Sequence, residues 1–287
     1  MIVSNKYHDI NSIYGLTAKQ TYMHTGLTID QFIKQLSSSK TIDIKTIKAF
    51  ERLFGINFNF FKRPSFIDRE LNMEYPFTEE YIIDQEKTYL LYAHYFYNVI
   101  VNEVRFTKEN VNFKEFIKIH DKFKIQSRHL KGSAIADKNY LISDFKKRNL
   151  MFILEKMGVR ILTRSLMKYG VEFYSIWIEN TPYIVLDKHT NQPKYALAKG
   201  LYELLNKSNS KYTERVKQEA TKYGQYLQND FVTYRYPQLI VSILMTLEKS
   251  YKLYIDSLMA KYDLNKQFLY KLFDFDTKSI NRIEGSA

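Results

Sequence analysis

The sequence predicts an α+β protein, mainly helical with one small β-sheet, on three observations. Apolar residues recur at helical spacing in most of the chain, as at Ile29, Phe32, Ile33 and Leu36 or at Tyr89, Tyr92, Tyr95, Phe96 and Ile100. The pattern changes only after Gly158, where residues 171–178 and 181–186 flank Glu179-Asn180 like the arms of a hairpin. Helical patterns then resume to the end, an order that groups strands apart from helices.

The first helices announce themselves by a repeated phrase. Gly15-Leu16-Thr17-Ala18-Lys19-Gln20 is echoed by Gly26-Leu27-Thr28-Ile29-Asp30-Gln31. Both copies carry Thr-x-x-Gln, a pairing that begins helices because the hydroxyl and the amide satisfy free backbone N–H groups reciprocally. Gly26 supplies the positive φ of the turn between them. The second of these helices, residues 28–36, is expected to bury Ile29, Phe32, Ile33 and Leu36 and to show Asp30, Gln31, Lys34 and Gln35 on its other face. A third helix buries Ile44, Ile47, Ala49, Phe50, Leu53 and Phe54 and stops at Gly55.

Pro64 and Pro76 bracket an expected linker. Thr78-Glu79-Glu80 starts a long helix running to about Val101, and residues 112–125 and 143–157 also read as helices. A strand at residues 159–162 precedes the hairpin. Helices are expected at 193–206, 213–228, 239–247 and 251–273, and residues 284–287 read as an unstructured tail.

Composition narrows the function classes. The chain has 287 residues, no cysteine and 16% aromatic residues, so disulfides, thiolate metal sites and cysteine nucleophiles are excluded. No segment has the apolar length of a membrane helix, and residues 1–10 lack the order of a secretory signal, so a cytoplasmic protein is expected. The formal charge is +12. Residues 1–64 carry nine Lys/Arg against four Asp/Glu, the densest positive balance for its size, which suits contact with phosphates.

Residues 6–64, with their paired helix starts and the closing Leu53-Phe54-Gly55-Ile56-Asn57-Phe58-Asn59-Phe60-Phe61, resemble the XRE/Cro-type helix-turn-helix family. The family's usual Ala, Glu and Gly in and after the two helices are Tyr22, Leu36 and Ser38 here. The resemblance implies a recognition helix at 28–36 lying in a DNA major groove. Candidate DNA contacts are Thr17, Thr28, Asp30, Gln31, Lys34 and Gln35, followed by Ser37, Ser38, Ser39 and Lys40 in the loop beyond.

A second resemblance covers about residues 140–230. The phrases Leu154-Glu155-Lys156-Met157-Gly158-Val159-Arg160-Ile161, Ser175-Ile176-Trp177-Ile178 with Pro182–Leu186, Tyr195-Ala196-Leu197-Ala198 with Leu204-Leu205, and Gln218-Glu219-Ala220 are similar in order to the ImmA/IrrE metallopeptidase-like family. That family holds zinc with His-Glu-x-x-His, where two imidazoles one turn apart bind the metal and the Glu activates water. Here the five positions read Lys199-Gly200-Leu201-Tyr202-Glu203. Glu219 stands at the family's third ligand position, and one carboxylate cannot hold a catalytic zinc. The expectation is a peptidase-like fold with no catalytic residue, no metal and no cofactor.

The sequence therefore divides into a helix-turn-helix domain (1–64), a linker (65–77), a helical middle or dimerisation region (78–140), an ImmA/IrrE-like regulatory, protein-binding domain without a zinc site (141–276) and a tail (277–287). This layout is similar to the master repressors (Stl type) of phage-inducible pathogenicity islands. By that likeness the chain is a bacterial repressor that binds a palindromic double-stranded DNA operator as a homodimer and is released by a phage-encoded protein. Two other readings are an active metallopeptidase and a peptide-sensing helical-repeat regulator. The first needs a metal site, and the second lacks a repeat near 34 residues.

Overall fold

A computed structural model describes residues 2–23, 26–31, 34, 44–57, 59–62, 70–75, 77–104, 151, 154–155, 158–205, 238–250 and 254–285. The fold is α+β, mostly helical with one four-stranded mixed sheet. Helices α1 (Ile2–Tyr14), α2 (Ala18–Met23), α3 (Ile44–Phe54) and α4 (Asn59–Lys62) precede strand β1 (Met73–Glu74). The long α5 (Glu80–Val104) follows, and then strands β2 (Arg160–Arg164), β3 (Phe173–Ile178) and β4 (Thr181–Asp187). Helices α6 (Pro193–Leu205), α7 (Gln238–Ser250), α8 (Tyr254–Ala260), α9 (Lys266–Leu272) and α10 (Thr277–Glu284) complete the order. Residues 29–31 and 34 are also helical, between α2 and α3. The expected helices at 112–125 and 213–228 lie outside the described residues, as does most of 143–157.

The chain forms two compact units, and neither is continuous in sequence. One comprises Met1–Glu70, Asp84–Val104 and Val241–Ala287; the other comprises Leu71–Ile83 and Arg105–Ile240. Spatial grouping thus departs from the linear division read from the sequence. Residues 241–276, assigned there to the regulatory domain, group with the N-terminal helices.

Aromatic packing accounts for that grouping. In the first unit Phe268 of α9 meets Phe96 of α5 at 5.4 Å and Tyr14 of α1 at 6.2 Å between ring centroids. Tyr14 stacks on Phe54 at 5.1 Å and its hydroxyl donates to the Phe54 carbonyl at 2.6 Å. Such rings bury large areas at little conformational cost, so they tie together segments far apart in the chain. The continuous helix expected over 251–273 is interrupted. Asp263 takes φ 57° and Asn265 caps α9 by accepting from the Gln267 N–H at 2.9 Å. Asp and Asn tolerate these conformations and supply the local acceptor. Residues 277–284, read as tail, form α10, capped by Asp276 accepting from Ser279 N–H at 2.7 Å, with Ile283 buried.

The second unit is built on the sheet, in strand order β1-β3-β4-β2. The hairpin stands where the sequence placed it: β3 and β4 pair antiparallel from Phe173↔Leu186 to Ile178↔Thr181, closed by Glu179-Asn180 with Glu179 at φ 55°. Strand β2 runs parallel to β4. The segment read as linker contributes β1, whose Met73 and Glu74 pair with Ile178 and Trp177. β3 and β4 are buried along nearly their whole length, as strands covered on both faces are. Helix α6 packs on these two strands.

Candidate nucleic-acid interface

Both Thr-x-x-Gln phrases fold as reciprocal capping boxes. Thr17 N–H donates to Gln20 Oε1 at 2.8 Å while Gln20 N–H donates to Thr17 Oγ1 at 3.2 Å. Eleven residues on, Thr28 N–H donates to Gln31 Oε1 at 3.1 Å and Gln31 N–H donates to Thr28 Oγ1 at 3.3 Å. Each box satisfies two of the backbone donors that a helix start leaves open. The turn between them uses Gly26 at φ 70°.

The first helix of the pair is anchored beneath by a buried hydroxyl. Thr21 donates to Asn11 Oδ1 of α1 at 2.8 Å, and both residues are buried. Lys6, also buried, donates to the Phe60 carbonyl at 2.6 Å and lies 4.5 Å from that ring's centroid, joining α1 to α4. A charged donor on a helix-terminal carbonyl is favourable there. The first of the two capped starts is therefore tied to α1, and α1 to α4.

The candidate contacts can now be placed. Thr17, Thr28, Asp30, Gln31 and Lys34 are exposed. Gln35, Ser37, Ser38, Ser39 and Lys40 lie outside the described residues. Gln31 has two roles available: its carbonyl oxygen completes the cap, which leaves the amide nitrogen as the donor that can meet a base edge or phosphate.

Two members of the expected apolar stripes are on the surface. Ile29 is 46% exposed and Ile44 is 70% exposed. Both stand in the first turn of their helices, where no preceding turn covers the side chain. Ala49 and Phe54 are buried as expected, whereas Leu53 is only half-buried. On α3 the exposed residues Ile44, Lys48 and Arg52 recur every fourth position and form one surface stripe. Lys48 and Arg52, like Lys19 and Gln20 on α2, are exposed polar groups that the resemblance to helix-turn-helix proteins does not single out; on α3 the four-residue spacing is the available signal.

The closing edge of this module is held from the far end of the chain. Asn57 N–H donates to the Asp263 carbonyl at 2.7 Å, Asn265 N–H donates to the Gly55 carbonyl at 2.9 Å, and Ile56 pairs with Leu264 between them. Lys271 of α9 donates to the Leu53 carbonyl at 2.6 Å. Its ammonium lies 5.5 Å from the centre of the Tyr14 ring, and burial lowers its pKa. Gly55 adopts φ 64°, and a Cβ there would stand 2.3 Å from Asn265 Oδ1 and 2.9 Å from the Phe268 nitrogen.

In the sheet unit, the five positions matched to His-Glu-x-x-His lie on α6. Lys199 lies over the rings of Tyr195 and Phe173, at 5.2 and 5.5 Å from their centroids. A Cβ on Gly200 would stand 3.0 Å from Ile184 Cγ2, so this glycine lets α6 approach β4 closely. Ser175 of β3 donates to Glu203 Oε2 at 2.5 Å. Burial raises the Glu203 carboxyl to about 7, against the opposing pull of the Ser175 hydrogen bond and the Lys199 charge. Glu219 lies outside the described residues. Among the described residues no group of three or more His, Asp or Glu is placed to hold a metal ion, and no helix is long and apolar enough to cross a membrane.

No family model matches the chain, and no curated protein or solved structure matches it either.

Proposed function

We propose that the chain is a sequence-specific DNA-binding repressor of a mobile genetic element, that it occupies a palindromic operator as a homodimer, and that a phage-encoded protein relieves it. The observation that carries the reading is the second capping box, which starts a helix whose Asp30, Gln31 and Lys34 are exposed behind a turn fixed by Gly26. A helix held this way offers an amide and an ammonium to base edges and phosphates. One such module covers only a few base pairs, so useful affinity takes two copies on a symmetric site. The sheet unit acts in this reading as a protein-binding body without chemistry. Supporting that role, the general-base position of the peptidase motif is Gly200, packed against Ile184.

The test is fluorescence anisotropy of the full chain on its own upstream DNA at several salt concentrations. Gln31→Glu is the informative variant. A Glu keeps the acceptor that caps Thr28 N–H but removes the amide donor and adds negative charge beside phosphate. Combined with Lys34→Ala it is expected to weaken operator binding about 100-fold or more with the helical signal unchanged, and loss of the Lys34 charge to lower the salt slope by about 1. Unchanged affinity in the folded double variant would place recognition elsewhere; no specific binding by the native chain would remove the repressor reading altogether.

A further inference from the structure

Four consecutive helices of the C-terminal stretch bring ionisable groups to one place. Glu248 comes from α7, Asp256 from α8, Lys266 and Tyr270 from α9, and Glu284 from α10. Lys266 Nζ lies 3.6 Å from Asp256 Oδ2 and 3.5 Å from Glu284 Oε1, at the half-exposed mouth of the cluster. Two further groups of these helices are out of solvent, Glu248 at 3% exposure and Tyr270 at 2%. Among the described residues neither Glu248 Oε1 nor the Tyr270 hydroxyl has a hydrogen-bond partner.

The charges of these groups act on one another. Burial raises the Glu248 carboxyl; Lys266 opposes that rise, Asp256 and Glu284 reinforce it, and a hydrogen bond from the Ile255 backbone opposes it. Burial also raises the Tyr270 phenol, and the charges of Glu284, Glu248 and Asp256 add to the effect. Among the described residues, Lys266 pairs with two carboxylates and its charge acts on a third, Glu248, in a chain whose formal charge is +12. A buried carboxylate oxygen and a buried phenol, both unpartnered, are costly unless something enters to meet them.

We propose that this cluster is a receptor for the guanidinium group of a basic segment on a partner protein, which enters against Glu248 and Tyr270 in place of Lys266. A guanidinium presents several donors in a flat fork and is less strongly hydrated than an ammonium, so it suits a set of spread acceptors. Among the described residues no group of three or more His, Asp or Glu is placed to hold a metal ion. A second copy of this chain would approach against a like-charged field, whereas a basic segment on an otherwise acidic partner would not.

The proposal deepens the repressor reading and rests on it for its biological sense, because the cluster adjoins the clamp on the helix-turn-helix module. Lys266 follows Asn265, whose backbone N–H holds the Gly55 carbonyl. Drawing Lys266 away from Asp256 and Glu284 loosens the start of α9, which seats against Gly55. Occupancy then favours a state of the module with lower DNA affinity, the differential binding that release requires.

Calorimetric titration of the full chain with a tetra-arginine peptide, without DNA, tests the site itself. One-to-one binding is expected, weakened at least tenfold by Asp256→Asn with Glu284→Gln, both at partly exposed positions. Tyr270→Phe, which keeps the ring packing, is expected to weaken it several-fold. Absence of binding, or equal affinity in the double variant, overturns the proposal. So does a magnesium titration that shows variant-sensitive binding while the peptide shows none, or sedimentation in which the double variant alone loses self-association. Operator affinity is measured separately with and without peptide. Failure of the native chain to bind operator, with peptide binding intact, would fault the repressor reading and leave the receptor site standing.

Discussion

The leading edge of the N-terminal module and its closing edge are held in opposite ways. At residues 15–34 the organising bonds are local: Thr17 with Gln20 and Thr28 with Gln31 span three residues each. At residues 53–57 they are long-range, as in the Lys271 bond to the Leu53 carbonyl across 218 residues. The leading edge leaves Thr17, Thr28, Asp30, Gln31 and Lys34 exposed. The closing edge uses its backbone groups to bind the rest of the unit. The exposed helix starts are therefore shaped by local chemistry, whereas the end of the module is fixed by residues distant in the chain.

The comparison breaks first at Gly55. Gly55→Ala is expected to destabilise the protein by about 3–4 kcal/mol, because a positive φ and a clash with both Asn265 and the Phe268 backbone act together. Thermal denaturation followed by far-ultraviolet circular dichroism measures it, and a loss under about 1 kcal/mol would mean the clamp yields easily.

The sheet unit supplies a pH-dependent counterpart at Glu203. The folded Glu203 carboxyl keeps its proton to about 7, whereas an unperturbed Glu loses it near 4.5. The folded state therefore binds more protons between those values, and stability is greatest on the acid side and falls as pH rises through that window. Glu203→Gln, which keeps an acceptor for Ser175, should match the native chain below pH 4.5 and exceed it by about 3 kcal/mol at pH 8. Trp177, the single tryptophan and part of the neighbouring strand β3, provides the fluorescence readout. A native stability that rises with pH through this range would contradict the assignment.

The smallest effect is expected at the leading edge. Gly26 has a positive φ, but a Cβ there meets nothing within 4 Å. Gly26→Ala should cost about 1 kcal/mol, from backbone conformation alone. A cost equal to that of Gly55→Ala would erase the contrast between the two edges.

The parts of the molecule that could be read from the sequence are those whose causes lie within a few residues. The two Thr-x-x-Gln boxes, the Gly26 turn, the Glu179-Asn180 hairpin and the helix from Pro193 all stand where local pattern put them. The exposed polar residues Asp30, Gln31 and Lys34 followed from the same periodicity, although it also assigned Ile29 and Ile44 to the core. Those two lie at helix starts, where periodicity is a poor guide because one side of the turn is missing. The pairing of β1 with β3 could not be read from Pro64 and Pro76, which mark a break in regular structure but not which strand a short segment joins. Helix α10 was missed because its cap, Asp276, falls after the aromatic run that drew the boundary.

Taken alone, the order of residues determined the class of fold, the starts of the short helices and which of their side chains are polar, because capping and periodicity act over one to three turns. Only the tertiary structure decided that the last helices complete the first ones, that Gly55 must be glycine and that Glu203 finds Ser175. Those outcomes depend on segments far apart in the chain arriving at the same place, and buried aromatic rings and backbone hydrogen bonds reward that meeting only once the whole unit has closed.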